Sequence, residues 1–171
     1  MDRSNSPYAA CSARWYVAHT KPRCEKRLRD YCERLGLEST LPLYRSVKQY
    51  RGKTVVFHKP LFPNYLFLRL VAEQRPCLAA TDYLARLLVV PDQDEFQSQL
   101  QDIQRALEAN VEIRLAPCIV PESRVRIRAG PLQGVEAWVE DRLGMSEVLL
   151  RLDFIGQAAA VKLDAELLEL I

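Results

Sequence analysis

The chain has 171 residues, of which 49% are apolar and 27% charged, and its formal net charge is +2. This composition is typical of folded globular proteins and excludes disordered and collagen-like classes, and no apolar run approaches the ~20 residues that span a bilayer. The five cysteines form no Cys-x-x-Cys pair, which excludes a disulfide scaffold and a cysteine-rich zinc module. Residues 1–13 lack the apolar core of a signal peptide, so we expect a disordered tail, reduced thiols and a cytoplasmic location.

Charge is distributed unevenly along the chain. Residues 1–115 hold 18 basic and 13 acidic side chains, whereas residues 116–171 hold 6 and 9. Within residues 14–59 there are 12 basic and 4 acidic side chains. Opposite signs in the two parts indicate two modules that have different partners or that bind each other. The simpler interpretation, that the basic run is a solvated face, stays open from composition alone.

The first predicted elements are a strand and a helix. Residues 15–19 are aromatic and β-branched, which favours a strand, and Thr20 with Pro22 supplies a helix start. Gly36 then ends the helix. One apolar stripe runs along it at helical spacing, and basic side chains occupy its other faces; the stripe consists of Cys24, Leu28, Tyr31, Cys32 and Leu35.

A hairpin follows the helix. Residues 44–50 and 54–58 are strand-like, and the segment Arg51-Gly52-Lys53 between them is typical of a tight turn. Next, Pro60 and Pro63 interrupt backbone pairing, and Asn64 tolerates a left-handed conformation. Residues 65–70 then favour a buried strand.

The remaining pattern divides the chain into two domains. A short helix around 74–83 and a strand at 85–90 are followed by a helix with Asp92 or Asp94 as its cap and apolar residues at positions 96, 100, 103 and 107. After Pro117 and Pro121 the apolar period changes to two, which predicts a small antiparallel barrel. The expected fold class is therefore α+β. The good helix formers in residues 158–171 leave a helical alternative open for the end of the chain.

Three sequence features resemble one known family. Trp15-Tyr16-Val17 opens the first domain, Leu61-Phe62-Pro63-Asn64-Tyr65-Leu66-Phe67 lies in its middle, and the second domain carries Gly130-Pro131-Leu132 and Phe154-Ile155-Gly156. In this order they resemble the NusG family of transcription elongation factors. The Phe-Pro-Asn-Tyr string, the Arg51-Gly52-Lys53 turn and Pro60-Leu61 are most similar to the specialised paralogue RfaH. The resemblance implies an NGN domain (an antiparallel sheet flanked by helices) at 14–110, a linker at 111–120 and a small SH3-like KOW β-barrel at 121–171.

This resemblance implies a function. NGN domains bind the β′ clamp helices of RNA polymerase and suppress pausing and termination, and specialised members contact the non-template DNA strand and the β-subunit gate loop. KOW domains bind ribosomal protein S10 or the termination factor Rho, or, in RfaH, mask the polymerase site as a helical hairpin. We therefore expect a monomeric, non-enzymatic antitermination factor that needs no cofactor or metal and does not associate with a membrane.

The resemblance also implies which residues bind. An exposed aromatic cluster is costly unless a partner covers it, although the same rings could pack in the core. The polymerase-binding positions are Tyr16, Phe62, Pro63, Tyr65 and Phe67. Arginine both stacks on bases and pairs with phosphate, which suits single-stranded DNA. Lys21, Arg27 and Arg34 match positions at which RfaH-like proteins contact DNA. Arg23, Arg27 and Arg34 are spaced at i, i+4 and i+11, which places them on one face of the predicted helix, and a solvated surface is the alternative for this group. The basic hairpin tip, Lys48, Arg51 and Lys53, is a second candidate group for binding the nucleic-acid backbone.

The sequence departs from the RfaH pattern at two places: His19 replaces a tyrosine, and Pro76-Cys77-Leu78 stands where RfaH has His-Thr-Thr at the gate loop. Glu136-Ala137-Trp138 lacks the glycine usual in NusG, and RfaH shows a similar loss. Two other functions fit the sequence less well. An enzyme is disfavoured because the two histidines and the cysteines form no nucleophile motif or metal-ligand spacing. A ribosome- or RNA-binding KOW protein would be favoured by a basic second domain, but residues 116–171 are net acidic.

Overall fold

The computed structural model describes residues 12–117, 123–142 and 145–171. The strands in these ranges are β1 Arg14–Thr20, β2 Glu38–Thr40, β3 Leu43–Tyr50, β4 Lys53–Pro60, β5 Tyr65–Leu70, β6 Leu84–Val89, β7 Ile113–Pro117, β8 Ser123–Ile127, β9 Glu136–Arg142, β10 Met145–Leu152, β11 Gln157–Lys162 and β12 Leu168–Leu170. The helices are α1 Glu25–Arg34, α2 Arg75–Ala79 and α3 Gln93–Glu108. The predicted tail, apart from its last two residues, lies outside the described residues, as do Cys118 and Pro121.

The described residues form two compact units. The first contains the chain up to Thr40 together with Asn64–Val89, and the second contains Leu41–Pro63 together with Val90–Ile171. The boundary differs from the predicted one in three respects. Residues 41–63 and helix α3, both assigned from sequence to the first domain, group with the second unit. Residues 113–117 of the predicted linker form strand β7.

The first unit is built on an antiparallel four-stranded sheet in the order β2-β5-β1-β6. Residues 15–18 of β1 are all buried, because neighbouring side chains of a strand point to opposite faces and both faces are covered. Helix α1 packs on β2 and β5 with Leu28 and Cys32 fully buried. The Tyr31 hydroxyl donates a hydrogen bond of 2.9 Å to the Cys77 carbonyl, which joins α1 to α2. The first four residues of the predicted apolar stripe are partly or fully buried, as expected, and the fifth, Leu35, is exposed.

The second unit contains a two-stranded sheet, β3-β4, and a six-stranded antiparallel sheet in the order β12-β8-β9-β10-β11-β7. Helix α3 begins as predicted at Asp92, whose carboxylate accepts a hydrogen bond of 3.0 Å from the Glu95 amide. It packs on β10 through a buried face that includes Phe96 and Leu100. The Gln99 side chain donates to Asp153 Oδ2 and accepts from the Asp153 amide, at 2.7 and 3.0 Å.

The helical alternative for the end of the chain is wrong. Ala158, Ala159 and Ala160 are good helix formers, yet they form the buried centre of strand β11 between β10 and β7. Packing and ladder hydrogen bonds outweigh a propensity difference of a few tenths of a kcal/mol per residue. Among the described residues no pairing joins the outer strands β7 and β12, so closure into a KOW barrel stays a prediction.

Cys32 and Cys77 should differ in reactivity, because Cys32 is buried and Cys77 is exposed. Burial, with a smaller contribution from the charge of Glu33, raises the pKa of the Cys32 thiol to about 11, whereas Cys77 is exposed. Because the thiolate is the reacting species, iodoacetamide at pH 8 should alkylate Cys77 in the native protein and leave Cys32 unmodified until urea is added. Peptide mass mapping checks this, and equal native labelling of both would contradict the fold of α1.

Candidate functional site

A turn between β1 and α1 presents the first group of predicted DNA-binding side chains. The Thr20 amide donates to the Asn64 carbonyl at 2.8 Å, and the Lys21 amide donates to the Tyr83 carbonyl at 2.9 Å. Arg23 has a φ of 61°, a left-handed conformation that is uncommon for a residue other than glycine. Strained backbone of this kind costs about 1–3 kcal/mol and is concentrated at functional sites. Lys21 and Arg23 are both exposed.

The position of Arg23 corrects one sequence argument. The helix was expected to begin at Thr20–Pro22, so that Arg23, Arg27 and Arg34 would share one helical face. Helix α1 begins instead at Glu25, and Arg23 lies in the preceding turn. Only Arg27 and Arg34 are on the helix, where both line an open cavity of about 590 Å³ together with Asp30, Glu33 and Tyr83.

The cations of α1 differ in how far they are neutralised. Arg29 forms ion pairs with Asp30 at 2.9 Å and Glu33 at 3.7 Å. Arg34 donates to the Asp30 carbonyl at 3.4 Å. Arg27 is exposed and forms no ion pair with any residue that the structure describes, and the same holds for Lys21 and Arg23. These three charges are therefore available to an anionic ligand.

The predicted exposed aromatic patch is wrong for three of its rings. Phe62 is 1% exposed, Phe67 0% and Tyr16 6%, so they are core residues of this structure. For the two rings on strands the reason is the alternation of the strands: Phe67 pairs with the buried Val17, and Tyr16 pairs with Leu68 on the other, equally covered face. Phe62 is buried in the connection between β4 and β5. The Arg75 guanidinium lies 5.3 Å from the centre of the Tyr16 ring.

Two members of the predicted polymerase-binding set keep accessible surface. Pro63 is exposed, and Tyr65 is half-buried at the start of β5. The Tyr65 ring lies 5.3 Å from the His19 ring, and the register continues across β1 to Arg86 on the edge strand β6. An aromatic, an imidazole and a guanidinium thus form one cross-strand row.

Glu25 connects the basic helix to the loop that carries Tyr65. It is buried, and its Oε1 accepts a hydrogen bond of 2.7 Å from the Asn64 amide. Asn64 has a φ of 68°, as the sequence predicts. A buried carboxylate bonded to a backbone amide is a strong interaction, and it sets the position of Tyr65 relative to the start of α1.

We predict that Glu25→Ala lowers the free energy of unfolding by about 1–3 kcal/mol, because the Asn64 amide loses its acceptor in a partly buried place. Urea denaturation followed by circular dichroism measures the change. Glu33→Ala, at an exposed position on the same helix, is the matched control and should change stability by less than about 0.5 kcal/mol. Equal effects of the two substitutions would refute the role assigned to Glu25.

The second group of predicted DNA-binding side chains lies on the β3–β4 hairpin in the second unit. Arg51 and Gly52 have φ values of 47° and 77°, which is the backbone of a two-residue type I′ turn. Lys48, Arg51 and Lys53 are all exposed around this turn. The predicted tip is therefore confirmed as a basic hairpin end, while its ligand is a matter for experiment.

The described residues contain no group of three or more His, Cys, Asp or Glu side chains that could hold a metal ion. None of the helices within the described ranges is long and apolar enough to cross a membrane.

Comparison with known proteins identifies the family. A family model described as "Transcription termination factor nusG" matches residues 13–126, about two thirds of the chain. The chain belongs to the NusG family. The NusG membership expected from the three motifs is confirmed, and with it a family of transcription factors; the particular similarity to RfaH stays a prediction.

One solved structure agrees with a NusG fold. The structure described as "Domain interaction in Thermotoga maritima NusG" is 17% identical, covers 93% of this chain and 97% of that one, and has a TM-score of 0.55. At this identity the likeness shows the fold alone. An MjSpt4:Spt5 complex in conformation B is 16% identical over 92% of this chain and 96% of that one, but its TM-score of 0.29 is too low to support an argument.

In this NusG-family chain, sequence reasoning missed two residues of the site. Tyr83 accepts the Lys21 amide through its carbonyl and lines the cavity beside Arg27, and Arg86 pairs in register with His19. Neither stands in a local motif. The only usable signal was a basic residue in an otherwise apolar edge strand, and that signal has meaning only once the pairing of β1 with β6 is known.

Proposed function

We propose that this NusG-family chain is a non-enzymatic transcription elongation and antitermination factor that acts in the cytoplasm on RNA polymerase and on the exposed non-template DNA strand. The observation that carries the proposal is a group of exposed cations beside the loop that bears Tyr65. These cations, Lys21, Arg23 and Arg27, form no ion pair with the residues that the structure describes. The hydrogen bond from Thr20 to Asn64 joins the two features, so a cationic and an aromatic contact stand side by side.

For the polymerase contact we propose a smaller surface than the sequence predicts. Pro63 and Tyr65 would touch the β′ clamp helices, since they have accessible surface. Tyr16, Phe62 and Phe67 are buried and are left out of the proposed contact. The β-subunit gate loop, and ribosomal protein S10 or Rho at the second domain, complete the proposed partners. These rest on the family resemblance rather than on a contact surface.

The second candidate function, an RNA- or ribosome-binding KOW protein, receives less support from the six-stranded sheet. Arg124 and Arg126 both form ion pairs with Glu136, and Arg151 pairs with Asp153. The hydrogen bond from Arg126, aided by the charge of Arg124, holds the pKa of Glu136 below its ordinary value. Arg124 and Arg151 also lie over the Trp138 ring. Cations engaged in this way are less available to nucleic acid than Arg27.

We predict that Tyr65→Ala weakens binding to core RNA polymerase by about tenfold or more, as expected for loss of an aromatic interface anchor. A pull-down titration measures retention, and a thermal melt shows that the variant is folded. Leu35→Ala is the control, because Leu35 is an exposed apolar residue of the same unit at the opposite end of α1. If both variants were retained like the wild type, the polymerase contact at Tyr65 would have to be abandoned.

We predict that Arg27→Ala weakens binding to a single-stranded oligonucleotide and reduces the slope of log K against log salt by about 0.7, the value for one released counterion. Arg29→Ala is the matched control, because the charge of Arg29 is already neutralised by Asp30 and Glu33. Fluorescence anisotropy at several salt concentrations supplies both numbers. An unchanged slope for Arg27→Ala would remove the helix from the DNA site.

A further inference from the structure

The β3–β4 hairpin, residues 43–60, is the most apolar exposed surface among the described residues. Eight large apolar side chains of the described residues are exposed, and five of these eight lie on the hairpin: Val47, Tyr50, Val55, Val56 and Phe57. The hairpin pairs with no other strand that the structure describes. A two-stranded ribbon with open edges is only marginally stable in water, so apolar side chains left uncovered on it call for a ligand.

The register separates these side chains onto two faces. Residues directly opposite each other in an antiparallel pair lie on the same face, and the face alternates along the strands. One face, which we term the ring face, carries the four opposed pairs Tyr44–Lys59, Ser46–Phe57, Lys48–Val55 and Tyr50–Lys53. The opposite face carries Arg45–His58, Val47–Val56 and Gln49–Thr54. The ring face therefore carries all the Tyr and Phe side chains and all three lysines of the two strands, and the imidazole of His58 is on the opposite face.

The charge of the hairpin specifies the kind of ligand. Residues 43–60 contain five Lys or Arg side chains and no Asp or Glu. An acid-free stretch continues on both sides, from residue 39 to residue 72. A polyanion is therefore the ligand with complementary charge. Because exposed rings lie between the cations, a polyanion that also has flat apolar faces fits this surface best.

We propose that the ring face is a stacking platform for single-stranded nucleic acid, with bases on Tyr50 and Phe57 and phosphates at Lys48 and Lys53. The proposal rests on the proposed function only for the class of ligand, since the hairpin cations already belong to the DNA group. What it adds is the base contact, the face that makes it and the requirement for unpaired bases. Aromatic rings between cations bind single strands whatever their sequence, because every base has a π-face.

The spacing of the platform favours unstacked bases. The Lys48–Val55 pair lies between the pairs that contain Tyr50 and Phe57, so these two rings are four residues, or about 14 Å, apart along the strand, which is roughly four times the 3.4 Å step per base of a duplex strand. Tyr50 is 56% exposed and Phe57 39% exposed, and Phe57 stands opposite the small Ser46, which leaves its ring uncovered. In a duplex the base faces are stacked on each other and closed to such rings, so a duplex can use only the lysines.

The experiment measures binding of the full chain by fluorescence anisotropy to an oligothymidylate of about twelve nucleotides, within the ~4–16-nucleotide range of such sites. An oligouridylate, a duplex and an abasic strand with the same number of phosphates are the comparison ligands. We expect Tyr50→Leu and Phe57→Leu each to weaken oligothymidylate binding about fivefold or more, and to leave binding of the abasic strand and the duplex unchanged. Tyr50→Phe, which keeps the ring, should bind like the wild type.

Val47→Ser on the opposite face is the matched control, because it removes an equally exposed apolar side chain from the same ribbon. It should leave every affinity unchanged. The oligouridylate shows whether RNA serves as well as DNA, and the ring variants should weaken either strand that binds.

The outcomes separate this inference from the proposed function. If the ring variants bind oligothymidylate like the wild type while Arg27→Ala is weakened, the stacking platform is refuted and the DNA site on α1 stands. If the ring variants are weakened and Arg27→Ala is not, the platform stands and the α1 site is refuted. Competition by poly-glutamate that is lost in the same ring variants would also overturn the proposal, because the face would then serve an acidic protein.

Discussion

The first unit depends on the hydrogen bonds that hold the turn at Asn64. Its carbonyl accepts from Thr20 at the end of β1, and its amide donates to the buried carboxylate of Glu25 at the start of α1. One left-handed residue thereby fixes the end of one strand, the first turn of the basic helix and the start of β5. The cations before and on α1 and the ring of Tyr65 can act together only because this turn determines where each begins.

Neutralisation separates the functional cations from the structural ones better than their number does. On α1, Arg29 is paired with two carboxylates, while Arg27 forms no ion pair within the described part of the chain, although both stand on a helix that looks uniformly basic in sequence. On the six-stranded sheet, Glu136 alone engages two arginines. Exposed pairs of this kind contribute about 0–1 kcal/mol to stability, so their main effect is to decide which charges remain for a polyanion.

Elements whose pattern was local were predictable from the sequence. The amphipathic stripes of α1 and α3, the cap at Asp92, the hairpin turn at Gly52 and the left-handed Asn64 all follow from a few neighbouring residues. Three features were not predictable, because each depends on partners distant in the chain: the exact start of α1, the unit to which α3 belongs and the strand at 113–117. The main error at the site is the prediction that Phe62 and Phe67 are exposed, since both are buried. A Phe-Pro-Asn-Tyr string has the same letters whether its rings face a partner or the core.

In two other segments, β11 and the β3–β4 hairpin, the local sequence also leaves open how the side chains are packed. The alanines of β11 favour a helix locally, and their burial between two strands overrides that preference by packing. The strand-like pattern of β3 and β4 predicts a hairpin, yet no third strand within the described residues pairs with it, and Tyr50 and Phe57 stay exposed. Alternation specifies which side chains share a face, and only tertiary structure specifies whether that face is covered. A ribbon that keeps two large rings partly in water forgoes part of the ~1.5–3 kcal/mol that full burial of a large apolar side chain contributes, and a ligand that stacks on the rings recovers some of it.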